Sequence, residues 1–79
     1  MPLDRNLELQ RLAVADRHLS EAERAVSRQV MEIERLREGG HNTALALQTL
    51  QSFQHTLTAM QEHRNIIIRA IEGIDDGSL

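Results

Sequence analysis

The fold is decided by the stretch Gly39-Gly40-His41-Asn42-Thr43, the only internal cluster of helix-breaking residues in this chain of 79 residues. Gly39 can adopt the left-handed conformation that ends a helix, and Asn42 or Thr43 can cap the helix that follows. The single proline stands at position 2, so no missing backbone donor interrupts either flank. The stretch therefore predicts one turn, at residues 39–42, between two long helices.

Both flanks of this turn repeat apolar residues every seven positions, in two rows that are three residues apart. The rows of the first flank are Leu12, Leu19, Val26 and Ile33, and Ala15, Ala22, Gln29 and Leu36. The rows of the second are Leu50, Leu57, Arg64 and Ile71, and Ala46, Phe53, Met60, Ile67 and Ile74. Such rows are the a and d positions of helices packed along one seam, whereas strands would alternate every second residue. Because the turn is short, the sequence predicts an all-α, antiparallel, coiled-coil-like two-helix hairpin.

The predicted hairpin is one domain that spans residues 1–79. Helix 1 is expected over about residues 4–38 and helix 2 over about 43–73, with Gly73 as a stop signal and a frayed polar tail over 74–79. Two registers of the seam remain open at this point. One sets Ile33 opposite Phe53, and the other, one heptad away, sets Val26 opposite Phe53.

A single hairpin buries only one stripe on each helix, and a chain this small without cysteine usually needs association to be stable. Further apolar residues lie outside the two rows, namely Val14, Val30, Met31, Leu47, Ile66 and Ile68. An apolar face of this width suits a helix that touches two neighbours. We therefore expect two hairpins to associate as a homodimer and form a four-helix bundle.

Charge is distributed unevenly between the two helices. Residues 39–61 contain no Asp, Glu, Lys or Arg, although the whole chain carries nine arginines and twelve acidic residues. Depletion of charge is typical of interface cores. The first half of helix 2 is therefore predicted to lie against a second copy or another regulatory protein. The predicted interface residues are Val30, Met31, Leu47, Gln51, Gln54, Thr58, Ile66 and Ile68.

The composition argues against several classes of function. A net charge of −3 and a single aromatic residue, Phe53, disfavour nucleic-acid binding, which needs basic and stacking surfaces. The chain has no apolar run of the roughly 18 to 20 residues that cross a membrane, so we expect a cytoplasmic protein. It has no cysteine, paired carboxylates, serine triad or phosphate-binding glycine loop. We thus predict no catalytic, cofactor-binding or metal-binding residues, and a non-enzymatic interaction or oligomerisation module.

Two alternatives to this module stay open. The first is a metal-binding or phosphotransfer bundle based on histidine, because an antiparallel hairpin can bring His18 toward His63. It lacks the usual ligand spacings, since no HxxxH or HExxH pattern occurs. The second is a small bundle that binds nucleic acid through Arg24, Arg28 and Arg35, although glutamates lie between these arginines.

Residues 16–64 also carry a resemblance to a known group of proteins. Its residues are Asp16-Arg17-His18, Glu21-Ala22-Glu23-Arg24, Arg28-Gln29, Ile33-Glu34-Arg35-Leu36, Gly39-Gly40-His41-Asn42-Thr43, Ala46, Leu50, Phe53, Thr56-Leu57 and His63-Arg64. This arrangement resembles small helical-hairpin proteins of alphaproteobacteria, of the rhizobial type, which have no established function. The resemblance implies a hairpin fold and leaves the activity open.

Overall fold

The structure, a computed structural model, describes residues 4–78 and consists of two long helices. α1 spans Arg5–Glu38 and α2 spans Ala44–Asp76, and no strand occurs in this range. The helices pack side by side as a rod of 58 × 17 × 15 Å. The predicted all-α hairpin is thus confirmed. Residues 1–3 of the predicted domain, and residue 79 of its tail, lie outside the described residues.

The turn ends α1 with a glycine, but at a different glycine from the one predicted. Gly39 remains in the right-handed region with φ of −80°, and Gly40 adopts the left-handed conformation with φ of +73°. The N–H of Gly40 donates to the carbonyl of Arg37 (3.1 Å), and that of His41 donates to the carbonyl of Leu36 (2.8 Å). These two bonds form a Schellman motif, which satisfies the last carbonyls of the helix.

Side-chain oxygens cap the N-termini of both helices. The carboxylate of Asp4 accepts hydrogen bonds from the backbone N–H groups of Asn6 (2.9 Å) and Leu7 (3.4 Å) at the start of α1. At the start of α2 the side-chain oxygen of Asn42 accepts from the N–H of Ala44 (2.8 Å). Thr43 makes no such bond through its side chain. Asn42 is therefore the capping residue of the two that the sequence offered.

The prediction that α2 ends at Gly73 is wrong, because the helix continues to Asp76. Gly73 is buried, and Ile74 continues the apolar row of α2 and is half-buried. The helix ends at Gly77, whose φ of +78° allows Ser78 to donate its N–H to the carbonyl of Gly73 (2.9 Å). Residues 74–76 are therefore helical, since seam contacts outweigh the helix-breaking tendency of one glycine.

The core follows the predicted rows. The buried apolar residues are Ala15, Ala22, Ile33, Ile67 and Ile71. The two polar residues in the rows are also accommodated in the seam. Gln29 donates from its amide to the backbone carbonyl of Ala46 (2.9 Å), and half-buried Arg64 donates to the carboxylate of Asp16.

The contacts between the helices select the second of the two registers. That register places Arg64 opposite Ala15, next to the Asp16 carboxylate that it binds. The first register would place Arg64 seven residues further along α1, opposite Ala22. The hydrogen bond from Gln29 to Ala46 fits the second register in the same way, so Val26 lies opposite Phe53.

Candidate interaction surfaces

The eight predicted interface residues are accessible to solvent and do not form one surface. Seven of them are exposed, and Ile68 is half-buried. Successive residues of a helix point about 100° apart, which assigns each residue to a flank of the hairpin. Six of the eight share one flank, which we name the amide side after its glutamines. These six are Val30, Leu47, Gln51, Gln54, Thr58 and Ile68.

Ile66 and Met31 lie away from the amide side. Ile66 precedes Ile68 by two residues, so it points about 200° away, to the opposite flank of α2. Met31 is 68% exposed and follows Val30 by one residue, which turns it to the outer face of α1. The sequence-based prediction selected aliphatic residues because they lie outside the two rows of the seam, and it did not consider the angle of each residue around its helix. The structure therefore separates two of the eight residues from the rest.

The opposite flank carries a cleft near the middle of the rod, and we name this flank the cleft side. The cleft has a volume of about 360 Å³. Its walls are His18, Ala22 and Ala25 from α1, and Phe53, Thr56 and Met60 from α2. Small alanine side chains face the larger Phe53 and Met60, so the helices leave this space unfilled.

The cleft is apolar at its base and polar at its rim. Phe53 and Met60 are half-buried, whereas His18 and Glu21 at the edge are exposed. No group of three or more histidine, aspartate or glutamate side chains in residues 4–78 could hold a metal ion. Sequence reasoning missed the cleft because its location depends on the register. The alignment of Ala22 and Ala25 with Phe53 in the second register would have indicated it.

The cleft side also carries the two most exposed aliphatic side chains of α2. Leu45 is 79% exposed and Ile66 is 57% exposed. These residues belong to a row with a spacing of seven residues, Leu45, Ser52, Ala59 and Ile66, which we name the α2 row. Around the helix, the α2 row lies between Thr56, which lines the cleft, and the outer face. The row is therefore on the cleft side.

A buried carboxylate lies near the end of the rod that is distant from the turn. Glu8 is only 4% exposed and occupies the row of Ala15, seven residues earlier. Its carboxylate accepts a hydrogen bond from the guanidinium of Arg11 at 2.9 Å. Extending the row backward from Ala15 would have placed Glu8 in the seam. Because the carboxylate is paired, its burial is compatible with a structural role.

Two exposed ion pairs change the pKa values of their carboxylates. The hydrogen bond from Arg5 (2.6 Å) lowers the pKa of Asp75, and the hydrogen bonds from Arg35 lower the pKa of Glu32. Hydrogen bonding with Ser78, whose backbone N–H donates to the Asp76 carboxylate (2.9 Å), lowers the pKa of Asp76. These groups are exposed, so water and salt screen their interactions.

Comparisons with protein families, with curated proteins and with solved structures each find no match for the chain. Neither helix, over the residues that the structure describes, is long and apolar enough to cross a membrane.

Proposed function

We propose that this protein is a non-enzymatic self-association module, in which two copies of the hairpin complete one four-helix bundle. The observation that carries the proposal is the small core of the single hairpin. In the part of the chain that the structure describes, only five apolar residues are buried and no large side chain is fully buried. Small domains without disulfides or metals usually gain the missing burial by association.

Exposed aliphatic side chains supply the surface that association would bury. Among residues 4–78, eight large apolar residues are exposed: Leu7, Leu9, Val14, Val30, Met31, Leu45, Leu47 and Ile66. Single exposed aliphatic residues are ordinary on protein surfaces, but here they outnumber the buried ones. Burial contributes about 25 cal/mol per Å² of apolar area removed from water, so covering the exposed residues of one flank would stabilise the hairpin.

The accessible area of the chain also supports a second copy. The hairpin exposes 5863 Å², whereas a compact monomer of 9.0 kDa exposes about 4,900 Å². The excess is about 1,000 Å², and each partner in a stable interface buries about 800 Å². One symmetric interface would therefore remove the excess area.

Light scattering over a wide range of concentrations tests this proposal. The chain contains no Trp or Tyr, so its concentration is best measured by refractive index. We expect a molar mass of twice 9.0 kDa. A mass of 9.0 kDa at every concentration would contradict self-association, and the exposed aliphatic residues would then be assigned to a different protein partner.

A further inference from the structure

The α2 row is symmetric about its own middle. Along the helix it reads large, small, small and large, at Leu45, Ser52, Ala59 and Ile66. If two copies of α2 lie antiparallel, Leu45 of one lies beside Ile66 of the other, and Ser52 lies beside Ala59. The small central residues allow the two backbones to approach closely. Residues 39–61 carry no charged side chain, so this contact costs little desolvation of charge there.

On the cleft side, α1 presents charges in a complementary order. Glu21 and Arg28 are seven residues apart and point the same way, with Ala25 between them. An antiparallel second α1 centred near Ala25 would place each Glu21 beside the Arg28 of the other copy. Neither residue forms an ion pair in the structure over residues 4–78, so both charges are available to a second copy.

The centres of these two patterns lie at the same height of the rod. The middle of the α2 row falls next to Thr56, and the middle of the Glu21–Arg28 pair falls next to Ala25. Thr56 and Ala25 both line the cleft. One two-fold axis through the cleft would therefore satisfy the apolar pattern of α2 and the charge pattern of α1 together.

We infer that the second copy docks on the cleft side, about a two-fold axis that passes near Ala25 and Thr56. This inference rests on the proposed self-association and specifies its surface and symmetry. The α2 row lies about 100° around the helix from the nearer row of the seam, that of Phe53 and Met60. A helix that contacts two neighbours at this angle is the arrangement of a four-helix bundle.

The amide side fits a second copy less well. Its exposed face on α2 carries Gln51, Gln54 and Thr58, whose amides and hydroxyls would need partners after burial. Its aliphatic residues are also less available, because Leu47 is 45% exposed and Ile68 is half-buried in its own hairpin. On the cleft side the corresponding residues, Leu45 and Ile66, are more exposed.

The first test adds charge to each flank in turn. The double variant Leu45→Glu with Ile66→Glu places two carboxylates in the proposed interface, and we expect its dimer Kd to rise about a hundredfold or more. Its matched control, Leu47→Glu with Gln54→Glu, adds the same two charges to the amide side and should keep the Kd of the unmodified chain. Sedimentation measures the dimer Kd of both double variants, and circular dichroism checks that both variants keep their helix content.

The second test exchanges charges that are exposed in the single hairpin, so the hairpin is expected to keep its fold. Glu21→Arg alone, or Arg28→Glu alone, places like charges together at two symmetric sites. Each should raise the Kd about five- to thirtyfold. The two substitutions combined restore opposite charges and should recover most of the loss. The two side chains are seven residues apart in one copy, so recovery reports a contact between copies.

The outcomes separate the inference from the proposal beneath it. If the unmodified chain has a molar mass of 9.0 kDa at every concentration, both the proposed self-association and the inferred docking surface are wrong. A native dimer that survives Leu45→Glu with Ile66→Glu but dissociates in the amide-side control keeps the self-association and overturns the cleft side. A combined charge exchange that is no better than its single variants overturns the two-fold axis at Ala25. Loss of the dimer in the first variant, with recovery in the charge exchange, supports the inference.

Discussion

The two ends of the rod differ in how completely one chain packs them. At the end distant from the turn, Ala15, Ile67 and Ile71 form a buried cluster against which Leu12 packs. Between the cleft and the turn, Ile33 is buried, but Leu50 and Phe53 in the facing rows of α2 are only half-buried. The same heptad pattern thus yields a closed core at one end and a partly open one at the other.

Polar contacts between the helices show the same difference. Both interhelical ion pairs of residues 4–78, Arg5 with Asp75 and Arg64 with Asp16, lie toward the end distant from the turn. The turn-proximal part has the hydrogen bond from Gln29 to the backbone of Ala46. At the distant end, charged side chains of α1 and α2 therefore pair with each other within the same chain. The uncharged part of α2 lacks such contacts and is where we expect a second copy to contribute.

The largest expected effect comes from truncating the buried cluster. Ile67→Ala should lower the free energy of unfolding by about 2–5 kcal/mol, because it removes buried methyl groups and leaves a cavity. Leu50→Ala should cost less, since Leu50 is only half-buried. Urea unfolding followed by circular dichroism measures both values. Equal losses would mean that the two ends are packed alike and would contradict the difference described above.

The turn should be the next most sensitive feature. Gly40→Ala forces an alanine into a left-handed conformation with φ of +73° and should cost about 1–2 kcal/mol. Gly39→Ala is the matched control, because Gly39 has a right-handed conformation. The new β-carbon at Gly39 would meet the His41 ring at 2.8 Å, and this exposed side chain can move away. A larger loss at Gly39 than at Gly40, in the same unfolding assay, would contradict this description of the turn.

A smaller effect is expected at the ion pair between Asp16 and Arg64. Asp16→Asn should lower the free energy of unfolding by less than about 1 kcal/mol, because both side chains are substantially exposed. The loss should shrink further as salt is added, since salt screens exposed pairs. Thermal unfolding at low and high ionic strength measures it. A loss that is independent of salt would point to a packing role for Asp16.

The smallest expected effect is the contribution of Asp75 to the pH dependence of the free energy of unfolding. The hydrogen bond from Arg5 lowers its pKa in the folded state, so the stabilisation is present above the unfolded pKa of about 3.9 and is lost as pH falls through the folded value. Asp75→Asn should remove this part of the acid sensitivity and leave stability near pH 7 slightly lower. Unfolding midpoints at neutral pH and below pH 4 test the sign. Greater acid sensitivity in the variant would contradict it.

The heptad rows made the seam predictable from the sequence, but features that depend on contacts across it were not. The rows alone allowed two registers, and the cleft was found only once the contact between Arg64 and Asp16 selected the second, in which Ala22 and Ala25 lie beside Phe53. The predicted end of α2 at Gly73 was wrong because helix propensity is a local property and does not include the stabilisation that Ile74 gains by packing in the seam. The apolar residues outside the rows were predicted to lie in an interface, but the flank that each occupies follows only from its angle around the helix.

The most direct test of this account is the unfolding midpoint of the chain as a function of its concentration. If a second copy completes the core, dissociation accompanies unfolding, and the midpoint must rise steadily as concentration increases a thousandfold. We predict such a rise, and a smaller one in the variant Leu45→Glu with Ile66→Glu. A midpoint that stays constant over this range, in a fully helical chain, would show that the hairpin is stable alone and would contradict the account.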